Sequence, residues 1–273
     1  FIPIAENTYF INFSNKIGIL RNNNFSVLRN NFKILNNSFS IDENKNLIFG
    51  EYKANNKRDE EVRIFKYSIK KNKISTLFTF PRGKIRHIHG VYKDPYSKFF
   101  YILTGDKNHE CAIYYTKNYF NDLLCLGQGD ETWRAVSLVF TKEKIYYAMD
   151  AEFIKNQLFS INKKNFERKS LGNLSGPVYY STIFKKHPLF IITSEMCPSQ
   201  TDDYCKIIIL VNEKIKLIKS FKKDFSNFSF SKKIFARLFL PGLFHLFNDN
   251  NNNIYFSGYS LNDADGEVFK LKN

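Results

Sequence analysis

The sequence predicts an all-β chain folded as a single β-propeller over residues 1–273, with five blades and with six as the alternative. Three observations carry this reading. Apolar residues alternate or cluster in short runs rich in Ile, Val, Phe and Tyr, with little at helical spacing. Asn, Lys, Gly and Asp punctuate those runs where hairpins would turn. The runs also fall into successive sets of four, as the strands of propeller blades do.

The sets can be justified in order. Phe39 to Ile41, Asn46 to Phe49, Val62 to Tyr67 and Ile74 to Phe80 make the first. Arg86 to Val91, Phe99 to Leu103, Ala112 to Tyr115 and Asp122 to Leu126 make the second. Trp133 to Phe140, Lys144 to Ala148, Gln157 to Ile161 and Phe166 to Leu171 follow, then Val178 to Phe184, Leu189 to Thr193, Lys206 to Val211 and Ile215 to Ser220. Leu243 to Phe247, Asn253 to Ser257 and Glu267 to Leu271 lack a fourth strand. An N-terminal strand, from Tyr9 to Phe13 or from Lys16 to Leu20, is expected to complete that last blade and abolish its edge. Upstream of Asn37 there are more strands than one closure needs, which keeps a sixth blade open. Between Asp224 and Phe235, Ser and Lys alternate with Phe in a loop that has no assigned place.

Bulk composition narrows the classes. Hydrophobic content of 43% and aromatic content of 17% supply a large core, and no apolar stretch has the length of a membrane span. The 41 basic and 26 acidic residues leave a net charge of +15. Lysines are nonetheless spread through turns beside runs such as Asn22-Asn23-Asn24, without a basic cluster interleaved with aromatics, so nucleic acid is not expected as a partner. Cys111, Cys125, Cys197 and Cys205 lack metal-binding spacing, and Cys197 and Cys205 bracket a polar loop that a disulfide could staple. The chain begins at Phe1, read as a processed or truncated product, and the compartment stays unassigned. A monomer without cofactor is expected.

Chemistry is expected on one loop face. In a four-stranded blade, the loop after the second strand and the loop entering the inner strand emerge together. The first loops carry Glu51, Asp106, Asp150 and Glu195; the second carry Arg86, His87, Trp133, Arg134, Tyr179 and Tyr180. Carboxylates at one register suit glycoside chemistry, which needs a proton donor and a base or nucleophile, although acids after strands also close turns. Arg86 and Arg134 could grip an anionic group or pair with those acids. Trp133, Tyr179 and Tyr180 could stack on a sugar ring or pack between blades. His87 and His89 lie two apart on a strand and so share a face, as proton shuttles or ligands. No metal is assigned, because a metal-dependent lyase would need a further His or carboxylate within ligand distance. No phosphate-binding Gly-rich loop and no G-x-S-x-G elbow is present.

The run Gly50-Glu51-Tyr52, Arg58, Arg86-His87-Ile88-His89, Asp94-Pro95, Thr104-Gly105-Asp106 and Trp133-Arg134 resembles the sialidase-like propellers with bacterial neuraminidase repeats, over residues about 38 to 220. Worn forms of that family's Asp box remain at Thr116-Lys117-Asn118 and Ser160-Ile161-Asn162, without its Gly and Trp. Sialidases in that family are six-bladed and use an arginine cluster, a Tyr/Glu nucleophile pair and an Asp acid/base. The resemblance implies that Arg58, Arg86 and Arg134 could stand for the arginines and Tyr179 or Tyr180 for the nucleophile. It implies a glycan-related propeller, not sialidase activity itself. The expected function is therefore action on a polysaccharide through Glu51, Asp106, Asp150 and Glu195 oriented by Arg86 and Arg134; the alternative is a non-catalytic propeller that binds glycan or protein.

Overall fold

The computed structural model describes residues 2–13, 15–35, 38–224, 240–248 and 253–271. The chain is an all-β propeller of six blades, and it divides into two compact units, residues 1–130 and 131–273. The first unit holds three antiparallel four-stranded sheets. They are β1 (Ile2–Ala5), β2 (Thr8–Phe13), β3 (Lys16–Arg21) and β4 (Asn24–Asn30); β5 (Phe39–Ile41), β6 (Leu47–Gly50), β7 (Val62–Ser68) and β8 (Lys73–Phe80); and β9 (Ile88–Lys93), β10 (Phe100–Thr104), β11 (Ala112–Thr116) and β12 (Leu124–Gln128).

The second unit holds β13 (Val139–Phe140), β14 (Lys144–Ala148), β15 (Gln157–Asn162) and β16 (Arg168–Asn173), then β17 (Val178–Phe184), β18 (His187–Ile192), β19 (Tyr204–Val211) and β20 (Lys214–Lys222). Among the described residues its last sheet has three strands, β21 (Leu243–Asn248), β22 (Ile254–Tyr259) and β23 (Val268–Lys270). No helix among the described residues is long and apolar enough to cross a membrane.

Three expectations are corrected. There are six blades rather than five, and the N-terminal strands do not complete the last one: β2 and β3 pair with β1 and β4 in a sheet of their own. The physical reason lies in asparagines that look compositional in the sequence. Asn22 and Asn23 both adopt positive φ, 46° and 64°, between the paired residues Arg21 and Asn24. That is the two-residue hairpin turn whose twist matches the strands it joins. Asn7 and Asn15, also at positive φ, turn the neighbouring hairpins. The expected strand from Trp133 to Phe140 is shorter too: Glu131–Trp133 is a single tight helical turn, Ala135 bridges Met149, and the ladder begins only at Val139. From residue 225 the loop expected between Asp224 and Phe235 lies outside the described residues.

Neighbouring sheets in each unit bury their facing side chains together. Phe10, Ile17 and Ile19 of the first sheet pack with Phe49, Phe65 and Tyr67 of the second, and Ile48 and Ile64 pack with Val91 and Ile102 of the third. In the second unit, Tyr146 and Leu158 meet Phe190 and Ile208, while Ile191 and Ile207 meet Phe244 and Phe256. At about 1.5–3 kcal/mol for each large apolar side chain removed from water, these interfaces fix how adjacent sheets sit and so which loops lie side by side.

Candidate functional site

Two inner strands carry the same irregularity. In β9, Gly90 pairs with Leu103 and Ile88 with Thr104, leaving His89 as an extra residue. In β17, Val178 pairs with Ile192 and Tyr180 with Ile191, leaving Tyr179 as the extra residue. A bulge re-aims the side chain it carries. In each case the bulged residue meets an acid from the loop after the second strand: Asp106 for His89 and Glu195 for Tyr179.

In the first unit Asp106 is the centre of a buried cluster. Its Oδ2 accepts a 2.6 Å hydrogen bond from Arg86 Nη1 and lies 3.3 Å from His87 Nε2, while Oδ1 lies 3.4 Å from His89 Nε2. The two Nε2 atoms are 3.1 Å apart, and His87 Nδ1 lies 3.1 Å from the Lys53 carbonyl oxygen. Both histidines are almost wholly buried. Burial opposes charge on Asp106, but its contacts with His87 and His89 outweigh that and hold the carboxyl far below the ordinary range. Gly105 permits the turn: its φ is +148°, and a Cβ there would come within 3.1 Å of Cys111 Cα. Tyr52 covers the His87 ring with centroids 4.1 Å apart. Arg86, His87, Tyr52, Lys33 and Lys53 line a cavity of about 460 Å³.

Glu51 and Arg58, expected as site residues, are engaged structurally. The Glu51 carboxylate accepts the Arg63 amide at 2.7 Å and lies 3.7 Å from Lys53 Nζ. Arg58 Nε donates to Glu110 Oε1 at 2.7 Å, and the other oxygen of Glu110 accepts the Arg86 amide at 3.0 Å. Sequence reasoning missed Glu110, which is fully buried. Its signal was an acid two residues before the third strand of a blade whose entering loop carries Arg86.

In the second unit a cavity of about 320 Å³ is lined by Arg134, Asp150, Tyr179, Glu195 and Lys223, among others. The Tyr179 hydroxyl donates a short hydrogen bond to Glu195 Oε1. Arg134 Nε lies 3.2 Å from Asp150 Oδ2. Burial and the charges of Asp150 and Glu195 push the Tyr179 phenol well above its ordinary value. The phenol therefore keeps its proton until a base removes it. The Lys223 side chain is buried, which lowers its pKa against the opposing charges of Asp203 and Glu195. Nothing in the sequence marked this lysine among so many.

The remaining expected residues pack elsewhere. Trp133 stacks with Tyr147 at 6.2 Å, and the Arg168 guanidinium lies 3.9 Å over its ring. Tyr180 bonds His245 Nδ1 at 2.9 Å, so Tyr179 is the tyrosine that meets an acid. Cys197 and Cys205 do not bridge; Cys205 is buried, and burial pushes its thiol up to about 12. The segments 116–118 and 160–162, expected as worn Asp boxes, lie at the hairpins after β11 and β15, where Thr116 Oγ1 accepts the Phe120 amide at 3.1 Å and Asn162 Oδ1 accepts the Lys164 amide at 2.8 Å.

No family model and no curated protein matches the chain. Solved structures match it in fold. A nidogen/laminin complex aligns with TM-score 0.57 and 10% identity, covering 92% of this chain and 85% of that one. TolB from Acinetobacter baumannii aligns at 0.51 and 12%, covering 93% and 60%. The GH74 enzyme from Niastella koreensis aligns at 0.54 and 12%, covering 79% and 37%. The chain thus spans less than two thirds of the last two. At such identities the likeness shows the β-propeller fold alone.

Proposed function

We propose that this propeller is a glycan-directed glycoside hydrolase whose reacting groups are Tyr179, Glu195 and Asp150, with Arg134 gripping an acidic substituent of the sugar. The observation that carries the reading is the Tyr179 to Glu195 hydrogen bond inside a cavity that also holds Asp150 and Arg134. A nucleophile bonded to a base is the arrangement that activates a weak hydroxyl, and tyrosine serves as nucleophile in sialidases. The resemblance in sequence points the same way. The fold is shared by a GH74 enzyme, a precedent of fold and not of site.

The steps follow from the contacts. A substrate carboxylate takes Arg134, and Asp150, deprived of its counter-charge, binds a proton. Tyr179 Oη then bonds the anomeric carbon as its proton passes to Glu195; the glycosidic bond breaks and Asp150 protonates the leaving oxygen. In the second step water attacks the anomeric carbon and yields a proton to Asp150, while Tyr179 Oη leaves and regains its proton from Glu195. Asp106 and Glu51 take no part in these steps.

The test is turnover of aryl glycosides of acidic and neutral sugars by the native chain, Tyr179→Phe and Glu195→Gln, with the Tyr179 peptide followed by mass spectrometry after a fluorosugar inactivator. Expected are preference for an acidic sugar, a labelled tyrosine and at least a 100-fold loss in both variants. Turnover unchanged in Tyr179→Phe would overturn the reading. Binding without turnover would favour the receptor alternative, for which the half-exposed Met196 on the cavity wall and the exposed Phe153 supply apolar contacts.

A further inference from the structure

We infer that His87, His89 and Asp106 form a binding site for a divalent transition-metal ion of the zinc class. The inference is independent of the glycan reading, since none of the three takes part in it. One ligand atom from each of the three residues falls within 4.8 Å of the other two. An ion about 2.05 Å from two imidazole nitrogens that stand 3.1 Å apart sees them at roughly 98°, between octahedral and tetrahedral angles. One carboxylate oxygen of Asp106 lies 3.3 Å from the first of those nitrogens and the other oxygen 3.4 Å from the second, close to the spacing of ligands around a single ion.

Proton placement strengthens the case. A carbonyl oxygen only accepts, so the 3.1 Å contact between His87 Nδ1 and the Lys53 carbonyl puts the proton of a neutral ring on Nδ1. His87 Nε2 is then the ring nitrogen left to ligate, and it faces a carboxylate oxygen and a second imidazole nitrogen across the space an ion would fill. Ligating histidines commonly hold their orientation through such a bond from the other ring nitrogen. Arg86 supplies the corresponding bond to the carboxylate. The charges of Asp106, Glu110, Arg58 and Arg86 already cancel in two pairs. A dication therefore brings uncompensated charge, and an anion entering the cavity lined by His87 and Arg86 is the natural further ligand. Two imidazoles and one carboxylate with a remaining open position suit zinc and its neighbours rather than calcium or magnesium.

The experiment is titration of the chelator-treated full chain with Zn²⁺ by calorimetry and with Co²⁺ by visible absorption. The variants are His87→Ala, His89→Ala, Asp106→Asn and, as control, His245→Ala, each checked for fold by circular dichroism. One equivalent is expected for the native chain and for His245→Ala, with at least a tenfold loss of affinity in each of the other three. Binding of less than a fifth of an equivalent by the native chain, or affinity retained in the three cluster variants, would overturn the assignment. Should a variant fail to fold, the native stoichiometry and the cobalt spectrum decide: imidazole-type bands sustain the site, and a spectrum of hydrated cobalt removes it.

Discussion

Replacing Glu110 tests whether the arginines of the first unit are held from beneath. Its carboxylate is fully buried and takes Arg58 Nε at 2.7 Å and the Arg86 amide at 3.0 Å. Glu110→Ala leaves the Arg58 guanidinium, whose side chain is 14% exposed, without its counter-ion. Stranding one member of a buried pair costs about 3–5 kcal/mol, and residual exposure places Arg58 at the lower end. The amide left without an acceptor adds about 1 kcal/mol. A loss of about 4 kcal/mol is expected in urea denaturation followed by circular dichroism. The double change Arg58→Met with Glu110→Met should cost less than Glu110→Ala alone, because no charge is stranded. A loss below about 1 kcal/mol for Glu110→Ala, or strict additivity between the two positions, would refute this account.

Other outcomes follow from the same contacts. Burial lowers the His245 pKa, so the folded state binds fewer protons than the unfolded one below the ordinary histidine value near 6.5. Stability should be fully present above that pH and fall as pH drops through and below it; His245→Asn should flatten that fall, and identical slopes would count against the assignment. Lys185 and Lys186 form a two-residue hairpin turn at φ of 46° and 70° between the paired residues Phe184 and His187. Exchanging them for Asn-Gly should raise stability by about 1 kcal/mol, less than the full left-handed penalty because glycine loses more entropy on folding. A melting temperature unchanged or lowered by the exchange would show that the turn is not strained.

Much of the fold was legible because each blade strand is a local pattern. Val62 to Ser68, Ala112 to Thr116 and Gln157 to Asn162 are apolar runs bounded by turn residues, and the ladders form over nearly those positions. The N-terminal blade was misjudged for a local reason too. Asn22 and Asn23 have two meanings, bias and turn, and only the backbone angles separate them. Trp133 was read into a strand because an aromatic before an alternating run looks like one, whereas Glu131 turns the chain by accepting amides from Glu152, Phe153 and Ile154 across a distant loop.

By itself the sequence determined the class of the fold, the loops that carry acids and the candidate partners for those acids, since all three depend on periodicity and on residue type at short range. The tertiary structure decided how the candidates divide. It set Tyr179 against Glu195 and Tyr180 against His245, drew His87 and His89 onto Asp106, and occupied Glu51 and Arg58 with structural bonds. The bulges that aim His89 and Tyr179 arise from pairing with another strand. Register is a property of two strands at once, and a single run of residues does not contain it.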